Sequence, residues 1–299
     1  MKNTDLEAFS VSYKKKLIEV FSSLIAILTD NGLRWWCAGG TAIGAIRHHG
    51  FIPWDDDIDI YMPRKDYEKL LDIGEHLEST SYRIVSTRDK GYYLHFAKFY
   101  DKTTTLWEVR HYPYIIGVNI DIFPLEQMDA SETLYLDLKK VLQFRFNCYR
   151  ESYLANYFED LPFLLKGMHL KSVIFRLINY FKYRKVDPEE SYRRFLDVEH
   201  VFDYGRGENY VCTSWVYGAK EIFKKEWFEG YVEGSFEGLK IRLPADYDSF
   251  LKHLFGDYMQ LPPADRRVTH HSRVYINLKE ALCLSEVKER LKSGLSIEF

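Results

Sequence analysis

Hydrophobic and polar positions recur with two different periods along this chain, and each predicts a different kind of element. Between residues 4 and 30, Leu17, Val20, Phe21, Leu24, Ile25 and Leu28 follow helical spacing and Asn31-Gly32 supplies a stop, which predicts a first helix packed on a sheet. Leu33 to Ala38 reads as a short buried strand, Gly39-Gly40 as a tight turn and Thr41 to His48 as a short helix. Asp57-Ile58-Asp59-Ile60 then alternates acid and apolar. Extended chain sends successive side chains to opposite faces, so both carboxylates share one face, both isoleucines enter a core, and Asp56 points away. Pro63-Arg64-Lys65-Asp66 reads as the solvated start of a helix through Leu71 to about His76. Residues 82–86 and 92–100 read as strands, with Lys98 in the polar phase of the second. Gly117 to Leu125, GVNIDIFPL, is a further strand ended by Pro124, with Asp121 between Ile120 and Ile122.

Residues 131 to about 200 are helical in pattern and change character. Phe163 to Lys185 holds Lys166, Lys171, Arg176, Lys182, Arg184 and Lys185 with no acid, and Val173, Ile174, Leu177, Ile178 and Phe181 make an apolar stripe. Such a basic amphipathic helix either lies on an anionic membrane surface or packs on the rest of the protein with a solvated basic edge. Asp187-Pro188-Glu189-Glu190 marks the next helix start. From Tyr204 the pattern turns glycine-rich and short-stranded, with a strand over Tyr210 to Trp215, a hairpin over Trp227 to Pro244 and a helix over Asp246 to Phe255. The pattern divides the chain into a mixed part over 1–130, a helical insertion over 131–200 and a short-stranded C-terminal part over 201–299. No internal repeat or low-complexity linker interrupts it.

With 299 residues the chain suits one large or two modest domains. A net charge of -3 speaks against nonspecific nucleic-acid binding, so no nucleic-acid partner is expected. The four cysteines, Cys37, Cys148, Cys212 and Cys283, are widely spaced and form no Cys-x-x-Cys, which predicts reduced, buried thiols. The first residues lack the apolar run of a signal peptide, and no stretch has the roughly eighteen apolar residues of a membrane span. The expected location is cytoplasmic, with peripheral contact at the inner face of the cell membrane.

The chemistry concentrates between Trp35 and Met62. Two carboxylates on one face repel each other, and both stay ionised in a partly dry site only with a positive charge between them. A hard divalent cation fits: magnesium takes oxygen ligands, keeps several waters and is shared between one or two carboxylates and substrate phosphates. Glycines at a strand-to-helix turn let the backbone approach a ligand, and the N–H groups of the helix start would face an anion such as phosphate. Taken by spacing, the pattern supplies a metal and a phosphate, and an ordinary turn followed by a solvated acidic loop remains the alternative.

Gly39-Gly40-Thr41, Gly44-Ala45-Ile46-Arg47 and Gly50-Phe51-Ile52-Pro53-Trp54-Asp55-Asp56-Asp57-Ile58-Asp59-Ile60 resemble the signature of the LicD family, phosphocholine transferases related to the fukutins. Asp121 in a DIFPL-like motif, an FEG segment, Gly256-Asp257-Tyr258-Met259 before Pro262-Pro263, and the histidines His270 and His271 extend that resemblance to about residue 271. The resemblance implies an α/β (α+β) fold, a nucleotidyltransferase-like mixed sheet with flanking helices and a helical insertion. It implies Asp57, Asp59 and Asp121 as catalytic carboxylates holding Mg2+, two ions in the full device, with Mn2+ as substitute. Gly39, Gly40, Thr41, Arg47 and Lys98 would meet the donor phosphates, with His270 or His271 reaching in from the C-terminal part. The implied reaction moves phosphocholine from CDP-choline to a sugar hydroxyl of a cell-surface glycan, of teichoic acid or lipopolysaccharide type or lipid-linked, and releases CMP. The alternatives are ribitol or glycerol phosphate from its CDP donor, nucleotidyl transfer with pyrophosphate release, and an inactive scaffold. For a choline headgroup, Trp107 and Tyr112 are the expected aromatic cage, with Tyr92, Tyr93 and Tyr114 nearby. Glu108, Arg110 and His111 in the same loop keep a polyol pocket open.

Overall fold

The computed structural model describes residues 3–299 apart from 78–79, 130, 158–161, 163–164, 166–167, 203–206, 215 and 270–272, with side chains from residue 8 onward. Helix α1 (Asn3–Asp30) lays Leu17, Val20, Phe21, Leu24 and Leu28 into the main core, where all are fully buried. The strand that follows is shorter than expected. It is only β1 (Trp36–Cys37), because α2 (Gly39–Arg47) begins at the glycine pair itself, directly after the Ala38 N–H bonds the Asp59 carbonyl of the neighbouring strand. Next come β2 (Asp59–Pro63), α3 (Arg64–Gly74), β3 (Tyr82–Val85), β4 (Ala97–Asp101), β5 (Thr105–Trp107) and β6 (Asn119–Met128).

The main sheet has the order β1-β2-β6-β4-β3, with β2 and β6 parallel and the other neighbours antiparallel. β6 is its spine: residues 119–122 pair with β4, and residues 126–128 pair with β7 (Asn209–Val211), which leads to β8 (Ile222–Lys224). Residues 92–96 are not strand, contrary to the pattern. The Tyr92 N–H closes a turn on Asp89, and the His95 carbonyl is taken by the Ser214 hydroxyl at 3.2 Å.

The basic insertion is helical: α4 (Glu132–Tyr157), α5 (Leu170–Tyr183) and α6 (Pro188–Phe202). Its α4 and α6 share a smaller core, with Tyr135, Leu142, Phe146, Phe195 and Phe202 packed on Met128 and Val211 of the sheet. Arg64 fastens this layer to the sheet. It is buried in an ion pair with Glu126 of β6 and reaches Glu199 of α6 at 3.4 Å, while Asp66 is buried against Arg34 at 2.6 Å. At the start of α3, Arg64 and Asp66 are therefore turned inward, where partners from distant elements pair their charges, while Lys65 stays exposed.

In the last third, β9 (Tyr231–Phe236) and β10 (Leu239–Pro244) form the expected hairpin, and α7 (Tyr247–Phe255) is capped by the Asp246 carboxylate, which accepts from the Ser249 N–H at 3.1 Å. The pattern missed a small sheet in which β5 pairs with β11 (Tyr275–Asn277), itself beside β12 (Ile297–Glu298), with α8 (Leu284–Lys292) between them. Strands of two or three residues carry too few alternations to be read. The four cysteines are all free; Cys37 and Cys212 are buried, but Cys148 is half-buried and Cys283 exposed. Among the described residues no helix is long and apolar enough to cross a membrane.

His95 gives the fold a pH limit. Its Nε2 lies 3.3 Å from the Thr213 carbonyl, and burial pushes its imidazole down to about 4 from the ordinary 6.5. A ring that stays neutral when folded, while the unfolded chain takes a proton below about 6.5, makes stability fall as pH drops through that window and level off below about 4. His95→Gln should flatten this part of the profile, measured as the difference in urea midpoint between pH 7.5 and 4.5, roughly one unit above and within the window.

Candidate active site

The parallel pairing of β2 with β6 sets Asp59 opposite Asp121, and the antiparallel pairing of β6 with β4 sets Asp121 opposite Lys98. Directly paired residues share a face, so one row across three strands reads acid, acid, lysine. The Asp121 N–H also reaches the Ile58 carbonyl at 3.0 Å, which carries the pairing one residue beyond the strand into the loop that holds Asp57 and Asp55. Ile58 and Ile60 are fully buried, as alternation predicts. Asp59 is buried, and its carboxyl is pushed far above the usual range, first by burial and then by Asp57, Asp121 and Asp55, with Lys98 opposing.

Lys98 is also buried. Its ammonium donates to Asp121 Oδ1 at 2.7 Å, Asn119 Oδ1 at 2.9 Å and Glu108 Oε1 at 3.1 Å. Three protons meet three oxygens, so this lysine positions Asp121 where a phosphate contact was expected. Burial opposes its charge, but Asp121 and Glu108 outweigh that and hold it well above the ordinary lysine value.

A cavity of about 290 Å³ opens beside this row, walled by Asp57, Asp121, Lys98, Glu108, Asp56 and Asn119 on its polar side and by Tyr13, Tyr93, Leu94, Phe96 and Val109 on the other. Arg273 closes it from the C-terminal part, paired with Asp56 at 2.6 Å and lying over the Tyr13 ring at 4.3 Å. Burial pushes the Tyr13 phenol up to about 12, against the pull of Arg273. Glu108 reaches the wall through Tyr93, whose hydroxyl donates to Glu108 Oε2 at 3.0 Å.

Other expected ligands are placed elsewhere. Trp107 is fully buried beside Tyr275 and Val287, with its indole N–H donating to the Val109 and Tyr112 carbonyls, because β5 belongs to the small C-terminal sheet. Tyr112 stacks behind Tyr93 at 5.1 Å with planes 7° apart, and Arg150 covers its ring. The aromatic residues on the cavity wall are thus Tyr13, Tyr93 and Phe96. Arg47 sits at the far end of α2, roughly 12 Å from its start at 1.5 Å per residue. Its guanidinium donates to the Tyr258 carbonyl at 2.6 Å, so it anchors the Gly256-Asp257-Tyr258-Met259 stretch. Thr41 is buried, its hydroxyl accepting from the Asp59 N–H at 2.8 Å, and so locks α2 to β2. Gly39 has φ +44°, and a Cβ on Gly40 would collide with the Asp55 carboxylate, so the glycine pair admits an acid against the start of α2. His270 and His271 lie outside the described residues.

The C-terminal hairpin grips the acidic loop. At its turn the Glu237 N–H donates to the His49 carbonyl at 2.9 Å and the Glu237 carboxylate accepts from the Phe51 N–H at 3.2 Å, while Phe236 packs edge-on to Phe51. Sequence reasoning missed Glu108 as part of this acid network, and Arg273. Glu108 had a signal, its place in the loop before the Asp121 strand; Arg273 had none.

A mixed sheet whose central strands present this acid row beside a glycine-opened helix defines a nucleotidyltransferase-type domain. The sequence profile of the LicD/FKTN/FKRP nucleotidyltransferase domain matches residues 32–166, which include the whole row. The chain therefore carries a LicD-family domain over those residues. It is 28% identical over 240 residues to the lipopolysaccharide cholinephosphotransferase LicD of Haemophilus influenzae, covering 78% of this chain and 84% of that protein. Human ribitol 5-phosphate transferase FKRP is 39% identical over 46 residues, 15% of this chain and 9% of that protein.

Proposed function

We propose that this protein transfers phosphocholine from CDP-choline to a sugar hydroxyl of a cell-surface glycan, with release of CMP. The observation that carries the reading is the Asp59-Asp121-Lys98 row beside a cavity with both acidic and aromatic walls. Similarity over most of both chains to a lipopolysaccharide cholinephosphotransferase supports the donor and acceptor classes.

The donor set suits a hard cation. It is all oxygen, and the mutual repulsion around buried Asp59 is what a divalent ion relieves. Among the described residues no three acids form a finished cage, so Asp57, Asp59 and Asp121 would hold Mg2+ in a shell completed by water and donor phosphates. Held there, the ion would supply positive charge to the diphosphate and the departing CMP. The chain's own residues do the rest. Lys98 fixes the Asp121 carboxylate, which takes the acceptor's hydroxyl proton as that oxygen attacks the choline-bearing phosphorus and the bond to CMP breaks. Arg273 and Asp56 close the cavity. Tyr93 and Phe96 offer ring faces to a trimethylammonium group, which cannot donate hydrogen bonds and is held by aromatic faces and nearby carboxylate.

The test is competition between CDP-choline and CDP-ribitol for the magnesium-loaded protein, with nucleotide products resolved by chromatography. CMP release with choline preference, weakened about tenfold by Phe96→Ala, is expected, since a desolvated cation–π contact contributes up to roughly 2 kcal/mol. Preference for CDP-ribitol would move the reading to polyol phosphate transfer, and pyrophosphate release from CTP to nucleotidyl transfer.

A further inference from the structure

Helix α5 packs inside out. Its buried residues are Arg176, paired with Glu151 of α4 at 2.8 Å, and Tyr183, whose hydroxyl lies 3.8 Å from Cys148; Asn179 reaches Glu151 at 3.4 Å. The apolar residues face out: Leu170 is 74% exposed, Phe175 64%, Phe181 61%, Ile178 58% and Ile174 49%. At 100° per residue, Leu170, Ile174, Ile178 and Phe181 fall within one 80° sector opposite the packed residues, with Lys171, Phe175 and Lys182 along one border and Arg184 on the other. A helix of a globular protein normally turns such a stripe inward. Val141 and Phe144 of α4, also exposed, lie on the same strip of that helix as Cys148.

We infer that this face of α5 docks the enzyme on an anionic membrane, its apolar stripe entering the headgroup boundary and its flanking cations meeting lipid phosphates. Charge selects this occupant. Residues 168–186 hold the exposed Lys171, Lys182, Arg184 and Lys185 and no acid; of the acids that follow, Asp187 accepts from the Glu189 N–H at the start of α6, and Glu189 and Glu190 are paired with Lys90 and Arg194. A second copy would fit the apolar stripe but would set these cations against their own copies across a two-fold axis. Lysine stems let the apolar residues sink while the ammonium groups stay at the surface. The inference does not depend on the reaction proposed above.

Vesicle cosedimentation of the full chain tests it, with phosphatidylcholine and with phosphatidylcholine plus phosphatidylglycerol at low salt. Partition at least about tenfold stronger onto the anionic vesicles is expected, falling as salt rises. Phe175→Glu with Ile178→Glu should abolish binding, and Lys171→Gln with Lys182→Gln should weaken it about fivefold per lysine. All four positions are exposed, so thermal midpoint and helix content should hold. Equal recovery on neutral and anionic vesicles, or unchanged binding by both double variants, overturns the inference. So does a concentration-dependent dimer, seen by light scattering without lipid, that Phe175→Glu with Ile178→Glu dissolves.

Discussion

Asp59→Asn yields a protein that folds and melts at a higher temperature than the parent without metal, yet turns over at least about 10³-fold more slowly. The two effects have one cause. Asp59 is buried against three other carboxylates, so a neutral amide removes repulsion from the empty site and also removes an oxygen anion that the proposed cation needs. Melting curves with and without magnesium separate the contributions: the metal should raise the parent's midpoint and leave that of the variant unmoved. Near-normal turnover in Asp59→Asn would remove this carboxylate from the chemistry.

Lys98→Met is expected to cost both stability and rate. Taking the ammonium away leaves Asp121 and Glu108 close together without their counterion, a change that in buried pairs costs roughly 3–5 kcal/mol and here about 10 °C of melting temperature. Asp121 also loses its anchor, and misplacement by about 1 Å costs on the order of 10²-fold in kcat. The split between kinetic constants decides the role. A positioning lysine lowers kcat with KM for the donor nearly unchanged, whereas a lysine on the donor phosphate would raise KM and leave the melting temperature almost unmoved. Glu108→Gln should be milder, because Lys98 keeps Asp121 and Asn119.

The acid row was readable because it rests on period-two alternation, and alternation survives whatever the strand pairs with. Ile58 and Ile60 had to enter the core, which left Asp57 and Asp59 no choice of side, and Asp121 repeats the pattern between Ile120 and Ile122. What was not readable is which strand lies beside which. Lys98 looks free to meet a phosphate until β4 is set against β6, and Trp107 looks like a pocket wall until β5 is paired with a strand from residue 275 onward. Arg64 and Asp66 read as solvent-facing for the same reason, since the partners that draw them inward, Arg34, Glu126 and Glu199, lie 32 to 135 residues away. The basic stripe of the insertion was visible as a pattern, but the inward turn of its Arg176 face goes with the buried Glu151 of α4, which no pattern within the stripe could show.

The hairpin turn that holds the acidic loop has a consequence for the order in which the protein is made. Glu237 stands 186 residues after the Phe51 N–H it accepts from, so at 5–20 residues per second roughly 10–40 s of translation separate the loop from its clasp. During that interval the nascent chain carries the aspartates without the contact that fixes His49 and Phe51 at the head of their loop. The clasp on this loop therefore closes only once the last third of the polypeptide has been made.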